Sequence, residues 1–294
     1  MVEPAPLRLY EDPAVFREAV NFTAAQTGFS ARLIQKDYFC SVVLQHLARI
    51  VPELVFRGGT CLAKIHVGFY RLSEDLDFLI STPTDAARGE RSGRVEGLKK
   101  AVATIEARLG GLRVITPLTG ANESSRYAAV IGYPSLLGSH EEPVKIEVGL
   151  REPLLTSAIQ GDAKTLLLDP VSGSSLAPSV SVVCLSWEEA MAEKLRAALS
   201  RREAAIRDFY DIDHAVRRRG LRVQDPVLLG LVRRKLAMPG NEPVDVSAAR
   251  LAALKLQIEP QLKPVLRDRD FADFNLERAF ATVAEVAAAL RAKG

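Results

Sequence analysis

Apolar residues recur along the first half of the chain with two different periods, one helical and one strand-like. Helical spacing covers residues from about 12 to 48 and from 86 to 109. Short apolar or alternating runs lie between and after these helices. The predicted strands are 54–56, 75–80, 112–117, 126–133, 143–150 and 165–168. This order of elements predicts an α+β domain, with a mixed sheet flanked by helices.

From Ser186 onward the pattern is almost entirely helical. Ser186-Trp-Glu-Glu has the form of a capping box, and Gly220 is a suitable residue to end a later helix. The predicted helices are 187–199, 203–219, 226–237, 246–257 and 270–292. A stretch rich in Gly, Ser and Pro at 157–180 precedes them. We therefore predict two domains, 1–180 and a helical domain at 181–294 that completes the active site.

A glycine turn follows the first predicted strand. Gly58 and Gly59 permit backbone conformations closed to other residues and let phosphate oxygens approach the peptide N–H groups. Thr60 is a favourable N-cap for a helix through about His66, whose first N–H groups would face the same anion. Two glycines before a helix are common in purely structural turns, so the turn alone does not establish a nucleotide site.

Two acidic residues lie on the strand that follows this turn. On an extended strand Asp75 and Asp77 share one face, about 6–7 Å apart along the backbone, and Ser73 is predicted on the same face. Carboxylates placed in this way can hold divalent ions roughly 3.5–4 Å apart, as two-metal phosphoryl transfer requires. An isolated Asp-x-Asp is more often a solvated strand edge. Its position after a glycine turn and a short helix favours a nucleotidyltransferase.

The composition restricts which metal cofactor and which cellular compartment are expected. Cys40, Cys61 and Cys184 lie singly among apolar neighbours, and the four histidines show no zinc spacing. The cysteines are therefore predicted to be buried thiols, and any metal is predicted to be Mg²⁺ or Mn²⁺ bound by oxygen. No apolar run reaches the length of a membrane span and the N-terminus lacks a signal-peptide pattern, which predicts a cytoplasmic protein with no membrane partner.

The net charge of +3 is mild, but basic residues cluster in the second half of the chain. The clustered residues are Arg196, Arg201, Arg202, Arg207, Arg217, Arg218, Arg219, Arg222, Arg233, Arg234 and Lys235. Clustering of this kind is typical of proteins that contact nucleic-acid phosphates. An equally good interpretation is that these side chains solvate helix faces and pair with Glu188, Glu189, Glu193 and Glu203.

The string from Phe56 to Phe78 resembles the AbiEii/MenT group of toxins, within the polymerase-beta-type nucleotidyltransferase superfamily. It reads Phe-Arg-Gly-Gly-Thr-Cys-Leu and then Arg-Leu-Ser-Glu-Asp-Leu-Asp-Phe. Thr60 stands where the broader superfamily has serine, and the gap to Asp75 is long, but both departures are usual in the AbiEii group. Further similarities are Lys36-Asp37-Tyr38, Lys145-Ile-Glu147, the stretch around Lys194, and Asp208-Phe-Tyr-Asp211.

The resemblance implies a nucleotidyltransferase fold and a role for each matching residue. It makes Asp75, Asp77 and Glu147 the catalytic and metal-binding acids, with Glu147 either a metal ligand or the base toward the attacking hydroxyl. The nucleotide would be bound by Gly58, Gly59, Thr60, Lys145 and Lys194. Lys194 would reach the triphosphate of the nucleoside triphosphate (NTP) substrate, and either Asp208 or Asp211 would orient it or the acceptor. Two structural alternatives stay open. Lys145 and Glu147 could form a surface ion pair on an edge strand, and the Lys36–Asp37 pair could face the nucleotide or support helix packing.

The resemblance also implies an acceptor, a partner and a form of regulation. Some related toxins transfer nucleotides to the acceptor end of tRNA, and such toxins are paired with an antitoxin encoded nearby. Phosphorylation of Ser73 would place negative charge beside the metal-binding acids and should disable catalysis. The alternatives are nucleotidyl transfer to a small-molecule or protein acceptor, and a non-catalytic nucleotide-binding interaction protein.

Overall fold

Seven strands form one mixed sheet in the computed structural model, which describes residues 7–138 and 140–292. The strands are β1 (Val55–Arg57), β2 (Asp75–Leu79), β3 (Arg113–Ala121), β4 (Arg126–Pro134), β5 (Glu141–Gly149), β6 (Ile159–Ala163) and β7 (Val180–Cys184). Their order across the sheet is β3-β4-β5-β2-β1-β7-β6. The pairs β2–β5 and β1–β7 are parallel, and the other neighbours are antiparallel. The predicted α+β class with a mixed sheet is confirmed, and β2 lies at its centre.

The helices that accompany the sheet are α1 (Pro13–Thr27), α2 (Ala31–Ile50), α3 (Gly58–Cys61), α4 (Arg88–Arg94), α5 (Glu96–Ala103) and α6 (Ile105–Arg108). Gly28 adopts a left-handed conformation with φ 78° and ends α1, so the helical region predicted at 12–48 is two helices. Every residue of α2 from Leu33 to Leu47 is buried, and α2 packs against β2, β5 and β7. This buried helix supplies one side of the core.

The second half of the chain is helical, as predicted. Its helices are α7 (Trp187–Ser200), α8 (Ile206–Arg219), α9 (Pro226–Leu236), α10 (Ala248–Lys255), α11 (Asp268–Ala272) and α12 (Leu276–Ala292). The Ser186 side chain accepts a hydrogen bond from Glu189 N and caps α7, as its sequence predicts. The Glu189 carboxylate in turn accepts hydrogen bonds from Leu155 N at 3.0 Å and Thr156 N at 2.8 Å.

The chain divides into two compact units. The first comprises Met1–Leu154 and Ala158–Leu185, and the second comprises Leu155–Ser157 and Ser186–Gly294. The boundary predicted after residue 180 falls at the start of β7, which belongs to the first unit. Within the described residues, no helix combines the length and the apolar character needed to span a bilayer.

Some predicted elements differ from the structure. The strand predicted at 165–168 is wrong, because the strand in this region is β6, and β7 was not predicted, since its five residues follow a loop rich in Ser and Pro. The helix predicted at 86–109 is divided into three, with Gly93 and Gly97 on either side of the first break. The helix predicted at 270–292 is interrupted where Asn275 Oδ1 accepts a hydrogen bond from Arg278 N and caps α12.

Candidate active site

The neighbouring strands β2 and β5 bring the predicted acids onto one face of the sheet. In their parallel register Asp77 lies opposite Glu147, and Asp75 lies opposite Lys145. Leu76, between the two aspartates, is fully buried on the other face, as strand alternation requires. The face that carries Asp75, Asp77, Lys145 and Glu147 is called the acidic face below.

The glycine turn contacts the acidic face directly. Gly58 has φ 77°, and a Cβ atom at this position would lie 2.3 Å from Asp77 Oδ2. Both the left-handed backbone and the missing side chain are therefore required here. Because Arg57 is the register partner of Asp77 in the β1–β2 pair, the turn begins beside the strand that carries the two aspartates. The backbone of the glycine turn therefore lies directly against the Asp77 carboxylate.

The rest of the turn is attached to the segment that leads into β2. A Cβ atom on Gly59 would lie 2.4 Å from a guanidinium nitrogen of Arg71 and 3.0 Å from Ser73 Oγ. The Thr60 hydroxyl donates a hydrogen bond to the carbonyl oxygen of Asp75. The prediction that Thr60 is an N-cap is wrong, because α3 begins at Gly58 and its N-cap residue is Arg57. Thr60 instead joins the turn to the strand that carries the acids.

Positive charge already surrounds Glu147. Its carboxylate pairs with Lys145 and with Arg126 of β4. Burial would raise the pKa of Glu147, but the hydrogen bonds from Lys145 and Arg126 outweigh it, so the pKa is lowered. The ion pair with Lys145 therefore exists, but the alternative that placed it on an edge strand is wrong, since β5 lies between β4 and β2.

The pKa of Asp75 is shifted in the opposite direction to that of Glu147. Burial raises its pKa, and the nearby Lys36 and Lys145 only partly offset this effect. Lys36 lies on α2, with Nζ 3.4 Å from Glu74 Oε1, and sequence analysis did not separate its role from that of its neighbour Asp37. The proximity of Lys36 to Asp75 and Glu74 identifies it as a further cation of this site.

Asp37 itself belongs to the core. It lies 2.5 Å from Lys64 Nζ through one carboxylate oxygen and accepts a hydrogen bond from Leu166 N at 3.0 Å through the other. Lys64 Nζ also donates to Ser41 Oγ at 2.8 Å, and its side chain is completely buried. Asp37 therefore follows the packing alternative for the Lys36–Asp37 pair, whereas Lys36 lies near Glu74 and Asp75.

The donor set of the acidic face fits a hard divalent cation. Asp75 and Asp77 present carboxylate oxygens on adjacent positions of one face, which are the ligands that Mg²⁺ and Mn²⁺ prefer. Burial raises the pKa of Asp75, and a cation beside the carboxylate would act in the opposite direction. Glu147 could join them only by exchanging Lys145 and Arg126 for the ion.

The remaining predicted site residues lie in the second unit and form a cluster of their own. Lys194 Nζ of α7 lies 2.8 Å from Asp208 Oδ1 and 2.8 Å from Asp211 Oδ2 on α8. The Lys194 side chain is 12% exposed, and the Asp208 carboxylate is also 3.5 Å from Arg201. Both aspartates thus pair with the same Lys194 ammonium group, so the structure does not favour Asp208 over Asp211.

The basic cluster of the second unit is only partly available to a ligand. Lys235 is buried and pairs with Glu189 at 2.8 Å, one of the carboxylates proposed for it in the alternative interpretation. Arg217 and Arg218 both pair with Asp273. The side chains of Arg201, Arg202, Arg219, Arg222 and Arg234 are exposed, although Arg201 also pairs with Asp208 and Arg202 with Glu242.

A sequence model of the family described as nucleotidyl transferase AbiEii toxin, type IV TA system, matches residues 43–288. Comparison with curated proteins gives no match.

Among solved structures, the chain is similar to MenT4, a nucleotidyltransferase toxin from Mycobacterium tuberculosis H37Rv, with 18% identity and a TM-score of 0.52, over 93% of this chain and 97% of that one. It is also similar to JHP933 from Helicobacter pylori, with 15% identity and a TM-score of 0.50, over 90% of this chain and 94% of that one. At these identities the structural likeness shows the fold alone. Because the family match covers most of the sequence, the chain belongs to the AbiEii family of nucleotidyltransferase toxins of type IV toxin–antitoxin systems.

Proposed function

We propose that this nucleotidyltransferase transfers the nucleotidyl group of an NTP to the 3′ acceptor end of tRNA and thereby blocks translation. One observation carries the proposal. The Asp77 carboxylate lies against Gly58, so closely that a Cβ on that glycine would be 2.3 Å from Oδ2. A backbone turn suited to a triphosphate and an acid suited to a metal are thus adjacent, as nucleotidyl transfer requires.

The residues of the acidic face and of the glycine turn would have different roles in the reaction. Backbone N–H groups at Gly58 and Gly59 would bind phosphate oxygens, and Lys145 and Lys36 would neutralise part of their charge. A Mg²⁺ or Mn²⁺ ion held by Asp75, Asp77 and Glu147 would supply the remaining charge neutralisation. The acceptor hydroxyl oxygen forms a bond to the α-phosphorus and loses its proton to solvent as the bond to pyrophosphate breaks. The protein contributes mainly position and charge.

The second unit would supply the other contacts. Lys194 would bind the triphosphate, with Asp208 and Asp211 fixing its ammonium group from two sides at 2.8 Å each. The exposed arginines of this unit suit a polyanionic acceptor such as tRNA better than a small cationic acceptor. tRNA and NTPs are both cytoplasmic, which is where we propose that the protein acts.

Labelled transfer tests the acceptor and the nucleotide together. The purified full chain is incubated with Mg²⁺, total RNA and each α-labelled NTP in turn, and we expect label on the tRNA band with one NTP or one class of NTP. Oxidising the 3′ terminal diol of the tRNA with periodate should abolish labelling, since the attacking hydroxyl is lost. Omitting the divalent metal should also abolish it.

Other outcomes separate the alternatives. Label on protein or on small molecules, with none on tRNA, would contradict the proposed acceptor while leaving nucleotidyl transfer intact. Toxicity in cells that persists in an Asp75→Ala variant would indicate the non-catalytic interaction protein. The antitoxin expected for a member of this family would be identified by co-expression with the neighbouring reading frame.

Ser73 is a proposed point of control. Its Oγ lies 3.0 Å from the position that a Cβ on Gly59 would occupy, beside the turn proposed to bind phosphate. A phosphoryl group on Ser73 would add about two negative charges next to the triphosphate and the acids, and would repel both the substrate and the transition state. A Ser73→Glu variant should therefore lose most of its transfer activity, whereas Ser73→Ala should keep it. Full activity in Ser73→Glu would argue against control at this position.

A further inference from the structure

A second cluster of metal-binding side chain types lies in the first unit and uses none of the acidic residues. The ligand atoms of Cys61, His66 and Cys184 all lie within 4.8 Å of one another. The two cysteines are buried and His66 is partly buried. Sequence spacing does not reveal this cluster, because Cys184 is more than a hundred positions from the other two residues.

The fold brings the three residues together through β1. Cys184 is the register partner of Phe56 in the parallel β1–β7 pair, and Leu185 N donates to Phe56 O at 3.1 Å. Cys61 ends α3, which follows β1, and His66 comes five residues later on a π-helical segment, Leu62–Val67. The wider π-helical turn brings residues about five apart onto one side, and such turns are frequent at functional sites.

A hydrogen bond orients the imidazole for coordination. His66 Nε2 lies 3.0 Å from the carbonyl oxygen of Leu185. A carbonyl oxygen can only accept, so Nε2 carries the proton and the lone pair of the neutral ring is on Nδ1. Ring N–H groups of metal-bound histidines characteristically donate to a carbonyl or carboxylate in this way.

Space is left at the cluster by a glycine. A Cβ atom on Gly161 of β6 would lie 2.9 Å from Cys184 Sγ.

We infer that Cys61, Cys184 and Nδ1 of His66 bind one Zn²⁺ ion. Two thiolates and one neutral imidazole are a common donor set for zinc, and they give a neutral site with the divalent ion. Zn–S distances of about 2.3 Å and Zn–N distances of about 2.0–2.1 Å place ligand atoms of a tetrahedral site roughly 3.5–4 Å apart. The three atoms would therefore need to move together only slightly.

Binding exchanges protons for the metal. Each thiol that is still protonated loses its S–H proton to solvent as its S–Zn bond forms. Three protein ligands leave the fourth tetrahedral position to water or another exogenous ligand. Zinc here would join α3, whose first residues are Gly58 and Gly59, to β7, and so fix the turn proposed to bind phosphate.

Cobalt titration of the full chain tests the site without depending on activity. Metal-free protein, purified in reductant and confirmed to hold three titratable thiols, is titrated with Co²⁺, and we expect saturation at one equivalent. The spectrum should show a thiolate-to-cobalt charge-transfer band and tetrahedral d–d bands, and Zn²⁺ should displace them stoichiometrically. Mg²⁺ at millimolar concentration should not.

Single variants identify the ligands. Cys184→Ser, Cys61→Ser and His66→Gln should each weaken metal binding by more than the roughly 10–100-fold that loss of an outer-shell partner costs. Cys40→Ser is the matched control, since Cys40 is also buried but is absent from this cluster, and it should bind Co²⁺ like the parent. If a ligand variant does not fold, the parent protein alone decides the matter. The absence of a thiolate–cobalt band, or a Cys61–Cys184 disulfide that forms in place of metal binding, would overturn the inference.

Discussion

The first unit uses aspartate in two different ways. Asp37 is buried and its two oxygens are taken by Lys64 Nζ and Leu166 N, so its charge is fully used within the fold. Asp75 on β2 is only partly buried, and its pKa is raised because burial outweighs the attraction of Lys36 and Lys145. The comparison teaches that a saturated carboxylate supports the structure, whereas one left short of positive charge is available to a cation.

The second unit repeats this contrast with lysines. Lys235 and Glu189 are completely buried and lie 2.8 Å apart, which leaves neither open to a ligand. Lys194 keeps 12% of its side chain exposed and lies between two aspartates on one helix. Sequence alone places both lysines in basic or family-like stretches, but only their surroundings separate a structural pair from a candidate ligand contact.

The largest expected effect comes from the acidic face. Asp77→Asn should reduce transfer activity by about 4 kcal/mol of transition-state stabilisation, or roughly 10³-fold, because a ligand of the proposed metal loses its charge. The free energy of unfolding should change by less than about 1 kcal/mol, since a partly exposed carboxylate is replaced by an amide of the same shape. Label transfer and urea denaturation measure the two quantities on one preparation.

Asp162→Asn is the control for this substitution. Asp162 is an exposed aspartate on the edge strand β6 of the same sheet, and its loss should alter neither activity nor stability. Strong destabilisation of the Asp77→Asn protein would show that Asp77, like Asp37, supports the fold. It would contradict the distinction between a structural aspartate and one available to a cation.

The buried pairs should give the next largest effect, on stability. Lys64→Met leaves the Asp37 carboxylate buried without its ammonium partner, and Lys235→Met does the same to Glu189. Breaking a buried ion pair in this way costs about 3–5 kcal/mol. The chain's single tryptophan, Trp187, lies in the second unit, so its fluorescence should follow the Lys235→Met transition, whereas far-ultraviolet circular dichroism follows both.

Removing both charges of a pair sharpens this test. Lys64→Met combined with Asp37→Leu should recover much of the lost stability, since the uncompensated buried charge is gone. Lys99→Met, which breaks the exposed Lys99–Glu96 pair, should cost less than about 1 kcal/mol. A double variant as unstable as Lys64→Met would show that packing, not charge, accounts for the loss.

The sequence allowed the acidic face to be predicted more fully than the residues around it. Asp75 and Asp77 alternate on one strand, so their shared face follows from local geometry alone. The pairing of β2 with β5, which sets Glu147 opposite Asp77, is a contact between distant strands, and only the family resemblance indicated it. The cluster of Cys61, His66 and Cys184 has no local pattern of that kind.

Local signals also misled where long-range contacts decided the outcome. Threonine is a residue type typical of N-caps, but the Thr60 hydroxyl donates to the Asp75 carbonyl of the next strand. Strand β7 is short and follows a polar loop, and its place in the sheet depends on pairing with β1 and β6. In each of these cases the deciding partner is remote in sequence.

A smaller effect on activity is expected when the turn, rather than the acid, is changed. Gly58→Ala requires φ 77° of a residue with a side chain and places its Cβ against Asp77 Oδ2. Gly68→Ala is a matched control, because Gly68 has φ 85° and no atom within 4 Å of the new Cβ. Both variants should lose about 1–2 kcal/mol of stability from the left-handed backbone. Only Gly58→Ala should also lose activity, by roughly 100-fold, because the carboxylate is displaced by about 1 Å. Equal losses of activity in the two variants would mean that the contact with Asp77 is not what the turn requires.

The smallest effect concerns His46, a buried histidine whose pKa is influenced mainly by burial and by one backbone hydrogen bond. Burial lowers the pKa of His46 below its usual 6.5, although its hydrogen bond with the Ala101 carbonyl acts in the opposite direction. The neutral form is thus favoured in the folded state, so the unfolded chain binds more protons just below pH 6.5. The stabilising contribution is complete above that value and is lost as the pH falls through it towards the lower folded pKa. His46→Gln should flatten the pH dependence of the free energy of unfolding in this window, measured by circular dichroism. An unchanged slope in His46→Gln would show that groups other than this histidine, including the carboxylates compared above, govern stability in weak acid.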